Sequence, residues 1–159
     1  MDLAFILKHV RTTEERSELV NLLEELIENN FKRDPKPISG SPFSKNATDA
    51  IYSEISKLGI ANNREEIEKF LETILSEAKS LPEIRISIAI PPSENLINNL
   101  RKWSYDNNLN NVIFNIDVKS EIVAGAIIMS PEGEYADFSL SNQINKFFKE
   151  KRQEVLSLL

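Results

Sequence analysis

Few residues of this sequence combine a reactive side chain with a spacing that could support catalysis or metal binding. The one histidine, His9, lies beside Lys8 and close to Arg11. An imidazole that acts as a general base or a metal ligand needs an oriented partner, such as a carboxylate or further ligands. The basic neighbours of His9 supply none, so the sequence predicts no catalytic or metal-binding role for it.

Carboxylates are plentiful, but their placement is that of structural residues. Asp117 and Asp137 flank the apolar run Ile122–Met129, and two acids alone do not define a metal site. We interpret both as turn or cap residues. The adjacent acids on predicted helices are interpreted as solvated faces that also complement helix dipoles; they are Glu14–Glu15, Glu24–Glu25 and Glu65–Glu66.

The composition excludes several classes of function. There is no cysteine and there are only four glycines, so thiolate chemistry and glycine-rich phosphate loops are absent. The net charge of −6 disfavours a nucleic-acid partner. We therefore expect a protein with no catalytic, cofactor-binding or metal-binding residues, and no enzymatic activity of its own.

The chain start, Met1–Phe5, lacks the basic residues and long apolar core of a signal peptide. No apolar segment approaches the roughly 20 residues that a membrane-spanning helix needs. We expect a soluble protein of a reducing, cytoplasmic compartment, with no direct insertion into a membrane.

Residues 1–82 are predicted to form a helical module of short amphipathic helices. A short apolar helix over residues 2–10 is followed by one capped by Thr12, with Glu15 as its capping-box partner. Residues 32–45, rich in proline and serine, form a linker-like loop. Asn46 is expected to cap the next helix, Gly59 to end it, and Asn62 or Asn63 to cap the third.

Residues 83–159 are predicted to form a β-α-β-β-α module, which makes the protein α+β with a three-stranded sheet and two helices. The first two strands alternate apolar and polar residues. The run Ile122–Met129 is interpreted as a third strand buried on both faces, in which Gly125 marks a close approach of another backbone. The helix capped by Ser93 is expected to bury Leu96, Ile97, Leu100 and Trp103, with Trp103 as an interface anchor being the alternative.

The last helix, capped by Ser139, has a wide apolar face. Because an ordinary chain end is polar and frays, this helix is expected to dock. Its target is either the N-terminal helices of the same chain or a partner helix. The predicted contact residues are Leu140, Ile144, Phe147, Phe148, Val155 and Leu158.

Three segments, in this order, resemble the delta subunit of F-type ATP synthases, the oligomycin-sensitivity-conferring protein family. Ile84–Pro91 is similar to its strand of alternating aliphatic residues, Asn115–Ala126 to its aliphatic strand, turn and double-glycine strand, and Asp137–Leu140 to its closing Asp-x-Ser. The chain departs from the family at Val118, where proline is usual. It also has Ala124 in place of one glycine, and a shorter N-terminal part than the family's six-helix bundle.

The resemblance implies a non-catalytic peripheral-stalk subunit that ties the catalytic head of the synthase to its membrane-anchored stalk. It implies that the C-terminal module binds stalk b subunits and that the N-terminal module binds alpha subunits of the head. The complex would lie at the inner face of the plasma membrane. The motif positions that carry over as structural residues are Asp117, Ala124, Gly125, Asp137 and Ser139.

Two alternatives stay open. The E-type peripheral-stalk protein of vacuolar and archaeal-type ATPases has a similar glycine-containing strand and closing helix, but begins with a long charged helix. The β-α-β-β-α order is also most of a ferredoxin-like fold, which would suit a small-ligand regulatory domain.

Overall fold

A computed structural model of the chain describes residue 6 and residues 9–30, 41–109 and 111–150, apart from the side chain of Phe148. The chain divides into two compact units. The first, here called the helical unit, runs to Pro82 and also contains Ser104–Ile113. The second, the sheet unit, contains Glu83–Trp103 and the chain from Phe114 onward. The helical unit thus includes Ser104–Ile113, which the sequence-based prediction places in the second module.

The helical unit contains α1 (Thr13–Asn30), α2 (Pro42–Leu58) and α3 (Arg64–Ser80). Local signals place their ends. Asn63 Oδ1 accepts a hydrogen bond from Glu66 N at 3.3 Å and so caps α3. Gly59, at φ +71°, ends α2 in the left-handed conformation that favours glycine. Most of the predicted helix over residues 2–10 lies outside the described residues.

Helix α2 begins earlier than the sequence predicted. Its N-cap is Ser41, whose Oγ accepts a hydrogen bond from Ser44 N at 3.2 Å, and Pro42 occupies the first helical position. Proline suits that position because it lacks the N–H that would have no helical partner there. The prediction of Asn46 as the cap was therefore wrong, and so was the assignment of residues 42–45 to the linker.

The three helices share one apolar core. Helix α1 makes its most extensive contact with α3 and a smaller one with α2. Because the apolar residues recur at helical spacing, each helix presents one stripe to the others. The core also includes Ile6, Val10, Leu81 and Ile113, which lie outside the three helices. The helices contribute these buried side chains: Leu19, Leu22, Leu23 and Leu26 from α1, Ala47, Ile51 and Ile55 from α2, and Phe70, Leu71, Ile74 and Ala78 from α3.

The sheet unit contains β1 (Glu83–Ile88), most of α4 (Glu94–Asp106), most of β2 (Ile113–Val118), β3 (Ala126–Met129), β4 (Tyr135–Asp137) and α5 (Leu140–Glu150). The sheet has four strands in the order β2-β1-β3-β4, not the three predicted. The extra strand, β4, pairs antiparallel with β3. Strand β3 pairs antiparallel with β1. Backbone hydrogen bonds Ile113 N to Pro82 O and Lys119 N to Ile88 O place β2 parallel to β1.

Only part of the apolar run Ile122–Met129 is a strand. Ile122 is buried, but Val123 is 74% exposed, and Gly125 turns the chain at φ +89° before β3 begins at Ala126. The expectation of one strand buried on both faces was wrong. The apolar sequence is shared between a turn and a short strand, and pairing with β1 sets where the strand starts.

Helix α4 covers part of the face that the sequence predicted. Ile97 and Leu100 are half-buried, whereas Leu96 lies at the surface and Trp103 is 48% exposed. Arg101 and Ser104 are buried on the same side of the helix as Ile97 and Leu100, so the covered face is rotated by part of a turn from the predicted stripe. None of the helices in the described ranges is long and apolar enough to cross a membrane.

Candidate partner-binding helix

The start of α5 is fixed by a cap built from Asp137 and Ser139. Ser139 N donates to Asp137 Oδ1 at 2.8 Å, and Asn142 N donates to Ser139 Oγ at 3.3 Å. The Asn142 side-chain amide also donates to the Asp137 carbonyl at 2.8 Å. The hydrogen bonds from Ser139 lower the pKa of the Asp137 carboxyl below its usual value. This network satisfies N–H groups that a helix start otherwise leaves unpaired.

A backbone brace from the preceding turn holds the same cap. Phe138 N donates to Ala126 O at 2.8 Å, and Leu140 N donates to Ala124 O at 2.9 Å. Between these bonds, Gly125 lies so close that a Cβ added to it would be 2.3 Å from Phe138 O and 3.0 Å from Ser139 Cα. The close approach expected at Gly125 is therefore present, and its partner is the segment that starts α5.

The brace and the cap bring four of the five motif residues together: Ala124, Gly125, Asp137 and Ser139. Asp117 does not join them. It is exposed on β2, at the opposite edge of the sheet from β4. Three strand spacings separate these edges, about 14 Å at roughly 4.8 Å each. Asp117 and Asp137 are thus too far apart to share a metal ion.

The apolar face of α5 is open to solvent. Leu140, Ile144 and Phe147 stand one helical turn apart and are 40%, 44% and 55% exposed. Phe138, directly before the helix, is 54% exposed. The most extensive contacts between elements in the described ranges do not involve α5. The other predicted contact residues, the Phe148 side chain, Val155 and Leu158, lie outside the described part of the chain.

The remaining polar candidates have structural partners or lie at the surface. His9 is exposed and lines a cavity of about 510 Å³ with Arg11 and Glu15. The Glu15 carboxylate accepts from Arg11 N at 2.6 Å and from Arg11 Nε at 3.0 Å. It therefore serves as the acceptor for Arg11. No group of three or more potential metal ligands occurs in the described ranges.

Sequence reasoning missed one polar cluster, which joins α1 to the start of α2. Glu18 Oε1 accepts hydrogen bonds from the hydroxyls of Ser41 and of Ser44, the latter at 2.6 Å. These bonds lower the pKa of the Glu18 carboxyl. The partners are 23 and 26 residues apart in sequence, so no local pattern could reveal them.

No protein-family model matches this chain, and a search of curated proteins finds no match. The assignment of a function therefore depends on the geometry of α5 and of the cap and brace that hold its start.

Proposed function

We propose that this protein is a non-catalytic peripheral-stalk subunit of an F-type ATP synthase, which ties the catalytic head to the membrane-anchored stalk. The observation that carries the proposal is the exposed apolar face of α5, a helix whose start is held by the Asp137–Ser139 cap and by the backbone brace. The complex would place the protein at the inner face of the plasma membrane.

The spacing of the exposed side chains supports a helical partner. Leu140, Ile144 and Phe147 recur at i, i+4 and i+7, which is the pattern by which one amphipathic helix lies against another. In the proposed role the partner is a stalk b subunit. Covering one large aliphatic side chain of this face contributes about 1.5–3 kcal/mol to binding, before the costs of association.

The cap and brace of α5 support a role in transmitting force. A subunit that resists rotor torque has to transmit force from its binding helix to the rest of its fold. Helix α5 follows β4 with only two residues between them, and its first turn is hydrogen-bonded to the Ala124–Ala126 segment. Because no flexible linker separates the helix from the sheet, a load on the helix would pass directly to the sheet.

The helical unit would provide the second attachment, to alpha subunits of the catalytic head. Its support is the apolar core of that unit, to which α1, α2 and α3 all contribute. This unit is shorter than the family's bundle, so the attachment to the stalk is the part of the proposal that the described residues support more directly.

A pair of neighbouring substitutions tests the role of the apolar face. Ile144→Asp places a charge in the middle of the face, and Asn145→Asp places the same charge one residue along, on an exposed position off the stripe. We expect Ile144→Asp to weaken copurification of a stalk b-type subunit from native membranes at least tenfold, since about 1.4 kcal/mol corresponds to a factor of ten. Asn145→Asp should copurify like the wild type.

Truncation after Phe148 removes the distal part of the predicted helix and should also abolish copurification. Equal recovery of the b-type subunit with wild type, Ile144→Asp and the truncated chain would contradict the proposal, provided that circular dichroism shows all three to be folded.

The ferredoxin-like alternative gains no support from the sheet. The fourth strand precedes α5, which gives the order β-α-β-β-β-α, whereas a ferredoxin-like domain has the order β-α-β-β-α-β.

A further inference from the structure

A second concave site lies wholly within the helical unit, where the end of α1 and the start of α3 meet the middle of α2. It is a cavity of about 480 Å³. Its deeper wall is part of the apolar core, and its rim includes Tyr52, Asn62 and Arg64. This volume falls in the range that small-molecule sites occupy.

The described residues that line this cavity carry a charge opposite to that of the whole chain. The protein has 25 acidic and 19 basic residues, whereas the lining residues within the described ranges include one arginine and no carboxylate. The Arg64 side chain is exposed, and within the described ranges its guanidinium forms none of the ion pairs found. An anion entering the cavity would therefore meet a cation that is not already neutralised.

The rim is held in place by local hydrogen bonds. The Asn30 side-chain amide donates to the Arg64 carbonyl at 3.0 Å and links the last residue of α1 to the first residue of α3. The Asn63 cap fixes the following turn. The backbone that carries Arg64 is thus positioned before any ligand arrives, which lowers the entropy lost on binding.

We propose that this cavity binds a small monoanionic carboxylate with a branched apolar tail. The guanidinium fork matches a carboxylate. Arg64 is the one cation among the described lining residues, and it suits one negative charge better than a phosphate, which usually recruits several donors. The apolar tail would lie against Ile67 and the ring of Tyr52, both of which line the same cavity. This site is independent of α5 and of the proposed stalk function.

The test is a titration of the ¹⁵N-labelled full chain, followed by two-dimensional NMR. The probes are N-acetyl-leucine and N-acetyl-leucinamide, which share the branched tail and differ in the carboxylate. We expect N-acetyl-leucine to shift the amide signals of Ala61, Asn62, Arg64 and Ile67 with a Kd of about 1–10 mM. The uncharged amide should bind roughly threefold to fivefold more weakly, the effect of an ion pair at an exposed site.

Two arginine variants test whether Arg64 supplies the positive charge that binds the carboxylate. Arg64→Gln should weaken N-acetyl-leucine binding by the same factor and remove the difference between the two probes. Arg85→Gln alters an exposed arginine on β1, in the other unit, and should leave both affinities unchanged. Equal affinity for the two probes, an unaltered titration of Arg64→Gln, or shifts confined to residues elsewhere would each overturn the proposal.

Discussion

Gly125 is expected to be the most sensitive glycine of the sheet unit, and Gly125→Ala is the smallest change that tests this. The added Cβ would lie 2.3 Å from Phe138 O and 3.1 Å from Phe138 C. Both are backbone atoms, so the clash cannot be relieved by turning a side chain. The Phe138–Leu140 segment would have to move, together with the start of α5.

The expected loss of stability in Gly125→Ala follows from the hydrogen bonds that this movement would break. The bonds at risk are Phe138 N to Ala126 O and Leu140 N to Ala124 O, each contributing about 1 kcal/mol. Alanine at positive φ adds about 1–2 kcal/mol. We expect Gly125→Ala to lower the free energy of unfolding of the sheet unit by about 3–4 kcal/mol.

Gly133→Ala is the matched control. Gly133 has the same φ of +89° and lies in the same unit, but an added Cβ there would meet nothing within 4 Å. Gly133→Ala should lower the free energy of unfolding only by the conformational cost of about 1–2 kcal/mol. The difference between the two variants, about 2 kcal/mol, isolates the brace.

The assay is urea unfolding followed by fluorescence of Trp103, the one tryptophan of the chain, which lies in the sheet unit. Equal losses of stability in Gly125→Ala and Gly133→Ala would contradict the role of the brace, because they would mean that the segment before α5 does not depend on the space left by Gly125.

Three further predictions concern the caps and the core. Ser139→Ala should lower stability by about 1 kcal/mol through loss of the α5 cap, whereas Ser141→Ala, two residues further along and exposed, should be neutral in the same unfolding assay. Leu23→Ala, at a side chain with no exposed surface, should cost about 2–5 kcal/mol in urea unfolding followed by circular dichroism, and a change below about 1 kcal/mol would argue against the α1 stripe as core. Glu18→Gln should lower the Tm at pH 7. Folding lowers the pKa of Glu18 below its usual 4.5, so the stabilisation by the ionised Glu18 carboxylate is present above that value and is lost as the pH falls through the folded pKa. The Tm values of the wild type and Glu18→Gln should therefore converge in acid, and a constant difference between them would contradict the assignment.

Features that depend on a few neighbouring residues could be predicted from the sequence. Gly59 ends α2, Ser93 caps α4 with its Oγ 3.2 Å from Leu96 N, and Ser139 caps α5. Each of these depends on contacts within about one helical turn, where residue type and spacing decide the outcome. The apolar stripes of α1 and α3 were likewise predicted, since helical spacing alone defines them.

Features that depend on distant residues could not be predicted. The sequence predicted Asn46 as the cap of α2, whereas the actual cap, Ser41, contacts Glu18 of α1 together with Ser44. The limits of β3 follow from its pairing with β1, in which Ala126 faces Ile88 across about forty residues of chain.

The candidate site was predicted in part. The residues Leu140, Ile144 and Phe147 were named from their spacing, but spacing could not tell whether a face of the same chain covers them. The folded structure answers this by the exposure of the side chains, and Leu140, Ile144 and Phe147 are all exposed.

Site-specific photocrosslinking in native membranes tests most directly whether α5 binds the stalk. A photoreactive phenylalanine analogue replaces Phe147 on the apolar face in one version of the full chain, and replaces Asn145 off the stripe in another. The proposed attachment of α5 to the stalk predicts a crosslink from position 147 to a stalk b-type subunit and none, or a much weaker one, from position 145. A crosslink from position 147 to no stalk subunit, or equal crosslinks from both positions, would contradict it.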